Sequence, residues 1–479
     1  MKRDIGNLTG REHELLVVGG GIHGAAAAWD AAQRGLGTAL VEARDFGAGA
    51  SWNSLKTIHG GLRYLQTLDL RRLRESVRER RTLLRIAPEL VRPLAFVVPI
   101  YGHGVKGREA FAAGLRLYDW LSRDRNDGVG KDRRIPGSRL VSVDELRERV
   151  PGAPPLGLSG GAVWWDAQVS SSERLTMAFV LAAADAGAAV ANHTEVVGLL
   201  RDGSRVGGAL VRDGLTGDDF EVRARLVLNA AGPGADEVLR RGGLSRASLP
   251  LVRAFNLVLT RPVVAGHAVG GSSEGRFLFL VPWRDRALLG TDYAPADTLA
   301  GPTDVERMLA KAVRAFPWAG LARGDVALVH RGHVPATAAD GQPLTRPLVV
   351  DHQRADGVPG LVTAVGVKYT TARAVAEHAV DLAVARLGAR AAPCRTSVTP
   401  LVHARPMVGE LAERARAAVE GEMACTLTDA MLRRLDLGTE GPPGAADVEI
   451  VAGVMAGELG WSPARQAEEV RSLLETYRA

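Results

Sequence analysis

The order of apolar and polar residues predicts that the chain begins with two strands joined by a helix. The apolar run ELLVVG, which starts at Glu14, predicts a buried strand, and a glycine turn follows it. The alanine-rich segment 25–35 predicts a helix, and TALVEA, from Thr38, predicts a second strand. We interpret these elements as the β-α-β unit that opens a Rossmann-type domain.

The later hydrophobic pattern predicts an interruption of this domain. Segment 93–155 is richer in Arg, Gly and Pro and indicates an insertion, whereas 162–190 predicts a strand, a loop and a long helix. The β-rich segments between 251 and 350 predict a second, antiparallel sheet. Segment 360–387 again predicts a strand, a turn and a helix, and the residues beyond 390 predict a mainly helical tail.

We therefore predict an α/β protein with a discontinuous Rossmann-type domain, an inserted antiparallel β substrate domain and a helical C-terminal domain. The Rossmann-type domain comprises 1–92, 161–249 and 348–398; the substrate domain comprises 93–160 and 250–347; the helical domain comprises 399–479.

Length and composition narrow the class of protein. A chain of 479 residues is too long for one simple core, and its 46% hydrophobic and 24% charged residues are ordinary for a globular protein. The first residues lack the apolar core of a signal peptide, and the richest apolar run, 177–191, is shorter than the about 20 residues that a membrane span needs. Only Cys394 and Cys425 are present, so we expect neither a disulfide framework nor a metal site, and a cytoplasmic location.

The net charge of +6 is concentrated in one segment. Residues 71–85 hold seven arginines against two glutamates, a local excess of +5. Because Leu73, Val77 and Leu84 recur at helical spacing, we predict an amphipathic basic helix. Two interpretations remain open: a solvated helix face, or a peripheral contact with anionic lipids at the inner face of the membrane. We expect no nucleic-acid binding, because no aromatic residues alternate with the basic ones.

The first glycine turn carries a dinucleotide-binding pattern, G-x-G-x-x-G, at Gly19, Gly21 and Gly24. The first glycine permits the turn, the second lets a pyrophosphate approach the backbone, and the third lets the helix pack on the strand. Glu42 ends the second strand, where a carboxylate binds the adenosine ribose. The pattern predicts a dinucleotide site without distinguishing NAD from FAD. For His23, within the turn, we expect a structural role rather than covalent flavin attachment.

Longer motifs resemble one family. Segment 19–51, followed by KTIHGGLRYL from Lys56, resembles the FAD-dependent glycerol-3-phosphate dehydrogenases, which belong to the D-amino-acid-oxidase-like flavoproteins. WDAQV, LVLNAAGP, FLFLVPWRDRALLGTDY, VGVKYTTARAVAEHA and EMACTLTDAMLRRLDLG resemble further motifs of that family, so the resemblance extends over nearly the whole chain. It implies FAD as cofactor and oxidation of a small anionic substrate, glycerol 3-phosphate, to dihydroxyacetone phosphate. It also implies quinone or O2 as electron acceptor, and it leaves a homodimer open.

The resemblance also implies a set of FAD-binding residues, with the isoalloxazine ring lying between the Rossmann-type and substrate domains. In addition to the turn glycines and Glu42, these residues are Ser51, Ser54, Lys56, His59, Gly60, Gly61, Val196, Ala231, Gly232, Gly366, Lys368 and Thr370.

The same resemblance implies the substrate-binding and catalytic residues. Arg63 and Tyr64 are implied to bind the substrate phosphate, since a planar guanidinium suits a phosphate dianion. Arg346 matches a second substrate-side arginine of the family. Lys368 would stabilise negative charge on the reduced flavin or on the product.

Two positions depart from the family pattern. Asn256, with Phe255 beside it, stands where the family has an active-site histidine, and Val334 stands where it has an arginine near the reacting carbon. Asn is no general base near neutral pH, and Val donates no hydrogen bond. His330 and His333 flank the altered motif and are candidates for a displaced base. We therefore retain Asn256 and His333 as catalytic candidates and Phe255 and Val334 as substrate-binding candidates.

These departures leave two other functions open. One is an FAD-dependent oxidase or dehydrogenase of a different phosphorylated or anionic alcohol or amine. The other is a flavin-binding protein without turnover, against which the presence of Arg63, Arg346 and Lys368 counts.

Overall fold

The computed structural model of the chain describes residues 1–104, 107–244, 249–296, 302–338 and 342–477. The strands are β1 (His13–Val18), β2 (Thr38–Val41), β3 (Thr57–Ile58), β4 (Val91–Tyr101), β5 (Arg139–Val141), β6 (Leu158–Val169), β7 (Ala189–Ala191), β8 (Thr194–Asp202), β9 (Arg205–Asp213), β10 (Asp219–Asn229), β11 (Leu251–Leu259), β12 (His267–Ser273), β13 (Arg276–Trp283), β14 (Arg286–Pro295), β15 (Val326–Pro335), β16 (Leu348–Asp351) and β17 (Leu361–Val365). The helices are α1 (Gly6–Thr9), α2 (Ile22–Gln33), α3 (Leu70–Ile86), α4 (Arg108–Leu121), α5 (Val143–Arg149), α6 (Ser172–Asp185), α7 (Ala235–Arg241), α8 (Pro302–Ala315), α9 (His352–Ala355), α10 (Ala372–Leu387), α11 (Leu411–Glu422), α12 (Ala445–Leu459) and α13 (Pro463–Glu475). Among the described residues, no helix combines the length and the apolar character that crossing a bilayer requires.

The chain divides into two compact units. The first unit contains Met1–Trp52, Ser171–Arg253 and Gly332–Arg478, and the second contains Asn53–Ser170 and Ala254–Arg331. The predicted α/β architecture, with a Rossmann-type part, an inserted β part and a helical C-terminal part, is confirmed.

The unit boundaries differ from the predicted domain boundaries. Residues 53–92, which the sequence placed in the Rossmann-type domain, fall in the second unit because β3 pairs with β6. Residues 332–347, which the sequence placed in the substrate domain, fall in the first unit, where the amide of Ala336 donates to the carbonyl of Pro250.

The sheet of the first unit has a parallel centre. Its strands run in the order β16-β17-β10-β1-β2-β7, with β8 and β9 added beside β10. Strand β1 pairs in parallel with both β2 and β10, and β10 pairs in parallel with β17. Because parallel strands point the same way, the segments that follow these strands share one edge of the sheet. This edge is where dinucleotides bind in such folds.

Helices α2, α6 and α10 pack together in this unit. Half of the residues of α2 are alanine, and these small side chains are all buried, which allows the close approach of α6 and α10. Larger aromatic groups fill the remaining space: the rings of Trp29 and Phe179 meet edge to face with centroids 5.4 Å apart. Close packing of buried side chains, and not an amphipathic pattern with one polar face, therefore determines where α2 lies.

The second unit is built on a nine-stranded sheet in the order β15-β11-β14-β13-β12-β4-β6-β3, with β5 beside β6. The predicted antiparallel sheet is confirmed for most pairs, but β12 and β4 pair in parallel. Successive residues of a strand face opposite sides, and two apolar clusters cover the two faces. Val97 and Phe255 belong to one cluster, whereas Phe96 and Trp283 belong to the other.

The C-terminal helices α11, α12 and α13 form a small apolar core of their own within the first unit. A π-helical turn, Asp429–Arg434, links α11 to α12 and is buried throughout. Its residues carry two arginines and an aspartate, and burial of such charges requires partners.

Candidate functional site

The turn after β1 is shaped for glycine at the first and last positions of the dinucleotide pattern. Gly19 has a φ of +104°, and a Cβ atom there would lie 2.7 Å from the Cα of Ala231. A Cβ atom on Gly24 would lie 1.8 Å from the carbonyl oxygen of Gly19. The structure thus brings this turn against the loop after β10, which contains Ala231 and Gly232.

Glu42 and Ser51 hold the two sides of the turn. The Glu42 carboxylate accepts the amides of Gly20 at 2.6 Å and Arg44 at 2.9 Å. Burial raises the pKa of Glu42, against the opposing effect of these two hydrogen bonds. The hydroxyl of Ser51 accepts the amide of Ile22 at 2.9 Å, at the start of α2.

His23 lies against the segment that follows β17. A Cβ atom on Gly366 would lie 1.7 Å from the His23 Nε2 atom, so only glycine leaves room for the imidazole ring. Burial lowers the pKa of His23 to about 4, which keeps the ring neutral. The residue is half-buried, and the predicted structural role of His23 agrees with this packing against Gly366.

The remaining FAD candidates of the first unit differ in position. Lys368 and Thr370 follow β17 at the same sheet edge as the glycine turn, and Thr370 is buried. Val196 instead lies in the apolar core, and its carbonyl accepts a hydrogen bond from Arg241. Its place among the FAD-binding residues stays a prediction.

The first unit fits FAD at its turn. Gly19 and Gly24 let the backbone of the turn pack closely on itself and on Ala231, and the turn precedes the N-terminus of α2, which favours a pyrophosphate. The fit rests on these backbone approaches and on the carboxylate of Glu42.

In the second unit, the segment that contains HGGLRYL begins with a fully buried lysine. Lys56 has a φ of +58° and no exposed surface, and its Nζ atom lies 5.3 Å from the centroid of the Trp283 ring. Ser54 accepts the Lys56 amide at 3.3 Å, and the carbonyl of Lys56 accepts the amide of Val169 at 2.8 Å. A cation over an aromatic face recovers part of the free energy lost on dehydration.

His59 is oriented by a buried carboxylate. Its Nδ1 atom lies 3.7 Å from Asp166, while 49% of the side chain is exposed. Asp166 also accepts the Gly60 amide at 2.5 Å and pairs with Arg80 at 2.5 Å. Burial alone would raise the pKa of Asp166, but His59 and Arg80 outweigh it and hold this pKa below its usual value. The Asp166 carboxylate therefore stays ionised and faces one ring nitrogen of His59.

Arg80 makes Gly60 obligatory. The Arg80 side chain is fully buried and donates to Tyr118 Oη at 3.0 Å as well as to Asp166. A Cβ atom on Gly60 would lie 2.1 Å from Arg80 Nη1 and 2.2 Å from Tyr118 Oη. The glycine pair, Gly60 and Gly61, thus reflects close packing inside the unit, and Gly61 has a φ of +81°.

Arg63 is an exposed cation on the turn that follows the glycines. Within the described part of the chain it makes no hydrogen bond or ion pair, so its guanidinium is available to an anion. Tyr64 is half-buried, and its ring lies 4.5 Å from the Arg72 guanidinium. Tyr64 is held by α3, while Arg63 faces solvent.

The candidates at the departures from the family pattern differ in burial and in their partners. Phe255 is buried in the apolar core of the second unit, and its assignment to the substrate site stays a prediction. Asn256 is buried, and its Oδ1 atom accepts the Thr291 hydroxyl at 2.7 Å, which supports a structural role. His333 is exposed and makes no hydrogen bond or ion pair with any described residue, and Val334 is half-buried.

Arg346 is exposed in the first unit, in the segment before β16.

His330, the other flanking histidine, is fully buried and meets the Trp283 ring edge to face at 5.9 Å.

Sequence reasoning missed the role of Asp166 and of Arg80. Asp166 is part of the WDAQV motif, which marked a resemblance without suggesting a function. Arg80 was counted as one of many charges in the basic segment. A possible signal was its place near Val77 and Leu84 on the apolar side of the predicted helix.

The structure also places His193, Cys425 and Asp429 together, with their potential ligand atoms within 4.8 Å of one another. Asp429 is already engaged: one oxygen accepts from His193 at 2.8 Å and from the Cys425 amide at 3.0 Å, and the other accepts from Arg433 at 2.8 Å. The cluster is therefore a closed hydrogen-bond network in this structure.

A glycine turn at the carboxyl edge of a parallel sheet, joined to a β-rich second unit, defines a dinucleotide-dependent α/β protein. Residues 14–382 match the FAD dependent oxidoreductase family, and residues 390–466 match the family described as the C-terminal domain of alpha-glycerophosphate oxidase. The chain belongs to the FAD-dependent oxidoreductase family, and FAD is its cofactor.

Named relatives refine the comparison. The chain is 33% identical over 422 residues to the glycerol-3-phosphate dehydrogenase of Synechocystis sp., covering 83% of this chain and 75% of that protein. It is 32% identical over 537 residues to the glycerol-3-phosphate dehydrogenase of Mycobacterium leprae, covering 98% and 88%. The mitochondrial enzyme of Homo sapiens is 34% identical over 411 residues, and the chain spans 54% of its length.

One solved structure has the same fold over nearly the full chain. The glycerol-3-phosphate dehydrogenase from Bacillus halodurans, complexed with FAD, superposes with a TM-score of 0.76 at 22% identity, covering 99% of this chain and 96% of that one.

Proposed function

We propose that this protein is an FAD-dependent dehydrogenase of glycerol 3-phosphate, which it oxidises at the 2-hydroxyl carbon to dihydroxyacetone phosphate. The observation that carries the proposal is the pairing of an available guanidinium, Arg63, with a carboxylate-oriented imidazole, His59, four residues earlier in the same unit. The first group suits a phosphate and the second suits an alcohol proton. The names of the Synechocystis and Mycobacterium leprae relatives support the same substrate.

Bound FAD supplies the hydride acceptor for this oxidation. His59 is the proposed base: Asp166 faces its Nδ1 atom, and its imidazole would take the proton of the substrate hydroxyl as the hydride leaves carbon. The ionised Asp166 stabilises the imidazolium that forms. The balance is one proton to His59 and one hydride to FAD, with a ketone as product.

The substrate phosphate is proposed to bind Arg63. An exposed guanidinium offers two parallel N–H groups to a phosphate, and its planar form fixes the orientation of the bound anion. Lys368 stays a proposed charge-stabilising group and Arg346 a proposed substrate-binding group, both in the first unit, and His59 replaces His333 as the proposed base.

We also infer a peripheral contact with anionic lipid. This contact would bring the protein close to a membrane quinone that accepts its electrons. Most arginines of α3 are paired internally, such as Arg74 with Asp124, so the basic helix is not a continuous charged face. Near the start of α3, however, Leu68 is 73% exposed, and Trp120 at the end of α4 is 61% exposed. Arg74 also donates to the Leu121 carbonyl, so these two helix ends are neighbours.

This lipid contact is tested by sedimentation with phosphatidylcholine vesicles that contain or lack phosphatidylglycerol. The double change Leu68→Ser and Trp120→Ser should reduce the bound fraction on anionic vesicles, while Leu156→Ser, at a residue 91% exposed elsewhere, should not. Equal binding of both variants would refute this surface. A homodimer stays a prediction.

The substrate proposal is tested by anaerobic flavin reduction in the holoenzyme. Glycerol 3-phosphate should bleach the oxidised flavin band of the wild type within seconds. Arg63→Met should raise the substrate concentration needed for half-maximal bleaching about tenfold or more, whereas Arg71→Met, at another exposed arginine, should leave it unchanged. His59→Gln should slow bleaching at saturating substrate by about 100-fold or more. A wild-type flavin that stays oxidised with glycerol 3-phosphate would refute the substrate.

A further inference from the structure

The C-terminal helical segment reaches the dinucleotide turn through one buried aspartate. Asp45 has no exposed side-chain surface and lies between Arg433 and Arg434 of the π-helical turn. Arg434 binds both carboxylate oxygens, at 2.7 Å and 2.8 Å, and Arg433 donates to one of them. Asn192 adds a fourth hydrogen bond at 2.9 Å. This carboxylate is fully satisfied by groups distant in sequence.

Asp45 belongs to a short segment, residues 42–47, that braces the glycine turn. Glu42 accepts the Gly20 amide, and the Gly47 amide donates back to the Gly20 carbonyl at 3.0 Å. Phe46 fills the space beneath the turn, because a Cβ atom on Gly20 would lie 2.6 Å from its ring. The position of residues 42–47 therefore fixes the conformation of Gly20.

A second set of contacts also links residues 42–47 to the π-helical turn. The carbonyl of Arg44 accepts the amide of His193 at 2.6 Å, and the His193 ring contacts Asp429 at 2.8 Å. Arg433 donates to Asp429 and to Asp45, so it joins the two connections. Residues 42–47 are thus held from two directions by the same π-helical turn.

We propose that the C-terminal helical segment retains FAD without touching it: Arg433 and Arg434 position residues 42–47, and these residues hold the turn and Glu42 in the FAD-binding conformation. The arginines are positioning residues. The proposal rests on FAD as the cofactor and is independent of which substrate the protein oxidises.

The alternative is that the arginine pair only stabilises the fold. A buried ion pair that loses its geometry costs stability in either case, so stability alone does not distinguish the two. FAD affinity does, because a purely structural pair would leave the affinity of the folded protein unchanged.

The test compares two conservative changes at buried arginines of the same unit. Arg434→Lys keeps the charge but loses the bidentate contact with Asp45. Arg174→Lys is the matched control: Arg174 is also buried and binds Glu422 of the C-terminal segment, but it does not contact residues 42–47. Each holoenzyme is stripped of FAD, and FAD is titrated back while its fluorescence is followed.

Arg434→Lys should weaken FAD binding at least tenfold, about 1.4 kcal/mol, and Arg174→Lys less than twofold. Hydrogen exchange of the FAD-free proteins gives a second measurement, in which the amides of Gly20 and Gly47 should exchange faster only in Arg434→Lys. Affinity within twofold of wild type in Arg434→Lys, or equal losses in both variants, would overturn the proposal. If Arg434→Lys does not fold, Arg433→Lys takes its place with the same expected results.

Discussion

Replacing Asp166 by Asn should remove the charge that Arg80 depends on. Arg80 is fully buried, and without the carboxylate its Nη1 atom keeps only Tyr118 Oη at 3.0 Å and the Trp165 carbonyl at 2.8 Å, both neutral. Removing one partner of a buried ion pair costs about 3–5 kcal/mol, since the remaining charge stays in a poorly polarisable interior. The Asn side chain still accepts the Gly60 amide, so we expect the lower end, about 3 kcal/mol.

The change should also alter the pH dependence of stability. The pKa of Asp166 is lower in the folded protein than in the unfolded chain, where Asp titrates near about 3.9. Its contribution is therefore present above about pH 4 and is lost as the pH falls through the lower, folded-state pKa. The stability difference between wild type and Asp166→Asn should accordingly be constant near neutral pH and should narrow in acid.

Urea unfolding followed by tryptophan fluorescence, at pH 7 and at a series of acidic pH values, measures both effects. Asp132→Asn is the control, because the pair of Asp132 with Arg133 leaves 73% of the aspartate exposed and such pairs contribute about 0–1 kcal/mol. A loss below about 1 kcal/mol for Asp166→Asn at pH 7, or a difference that does not narrow in acid, would show that Arg80 does not rely on this carboxylate.

Two further changes test the glycine turn and the position of Asn256, where the chain departs from the family pattern. Gly24→Ala should abolish stable FAD binding, because its Cβ atom would lie 1.8 Å from a backbone oxygen; Gly114→Ala, in α4 with no atom nearby, should retain full flavin content by absorbance. Asn256→His should lower the free energy of unfolding by about 1–3 kcal/mol without raising turnover. Gly290 already packs against the Asn256 amide, so a larger side chain has no room. Higher turnover with unchanged stability in Asn256→His would show that this position faces the substrate.

Local patterns predicted the first β-α-β unit and its glycine turn, because the signals for them lie within a few residues of one another. The assignments of Phe255 and Asn256 conflict with the alternation of a strand. Both were assigned to the active site, yet neighbouring residues of a strand face opposite sides, so at most one could face a substrate. The structure places Phe255 in the core.

Other features depend on contacts between distant residues, which a single sequence does not display. The burial of Arg80 in a basic segment depends on Asp166, 86 residues further along. The assignment of residues 53–92 to the second unit depends on the pairing of β3 with β6, and a two-residue strand has no pattern of its own.

The contact between Asp45 and Arg434 joins residues 389 positions apart, and this separation sets an order of events during synthesis. At about 5–20 residues per second, a ribosome needs roughly 20–80 s to add Arg434 after Asp45. During that interval the glycine turn and Asp45 are already synthesised, but Arg434, which pairs with Asp45 in the folded protein, is still missing. Cofactor capture should therefore follow release of the full-length chain, and chains truncated shortly before residue 433 should emerge unable to keep FAD.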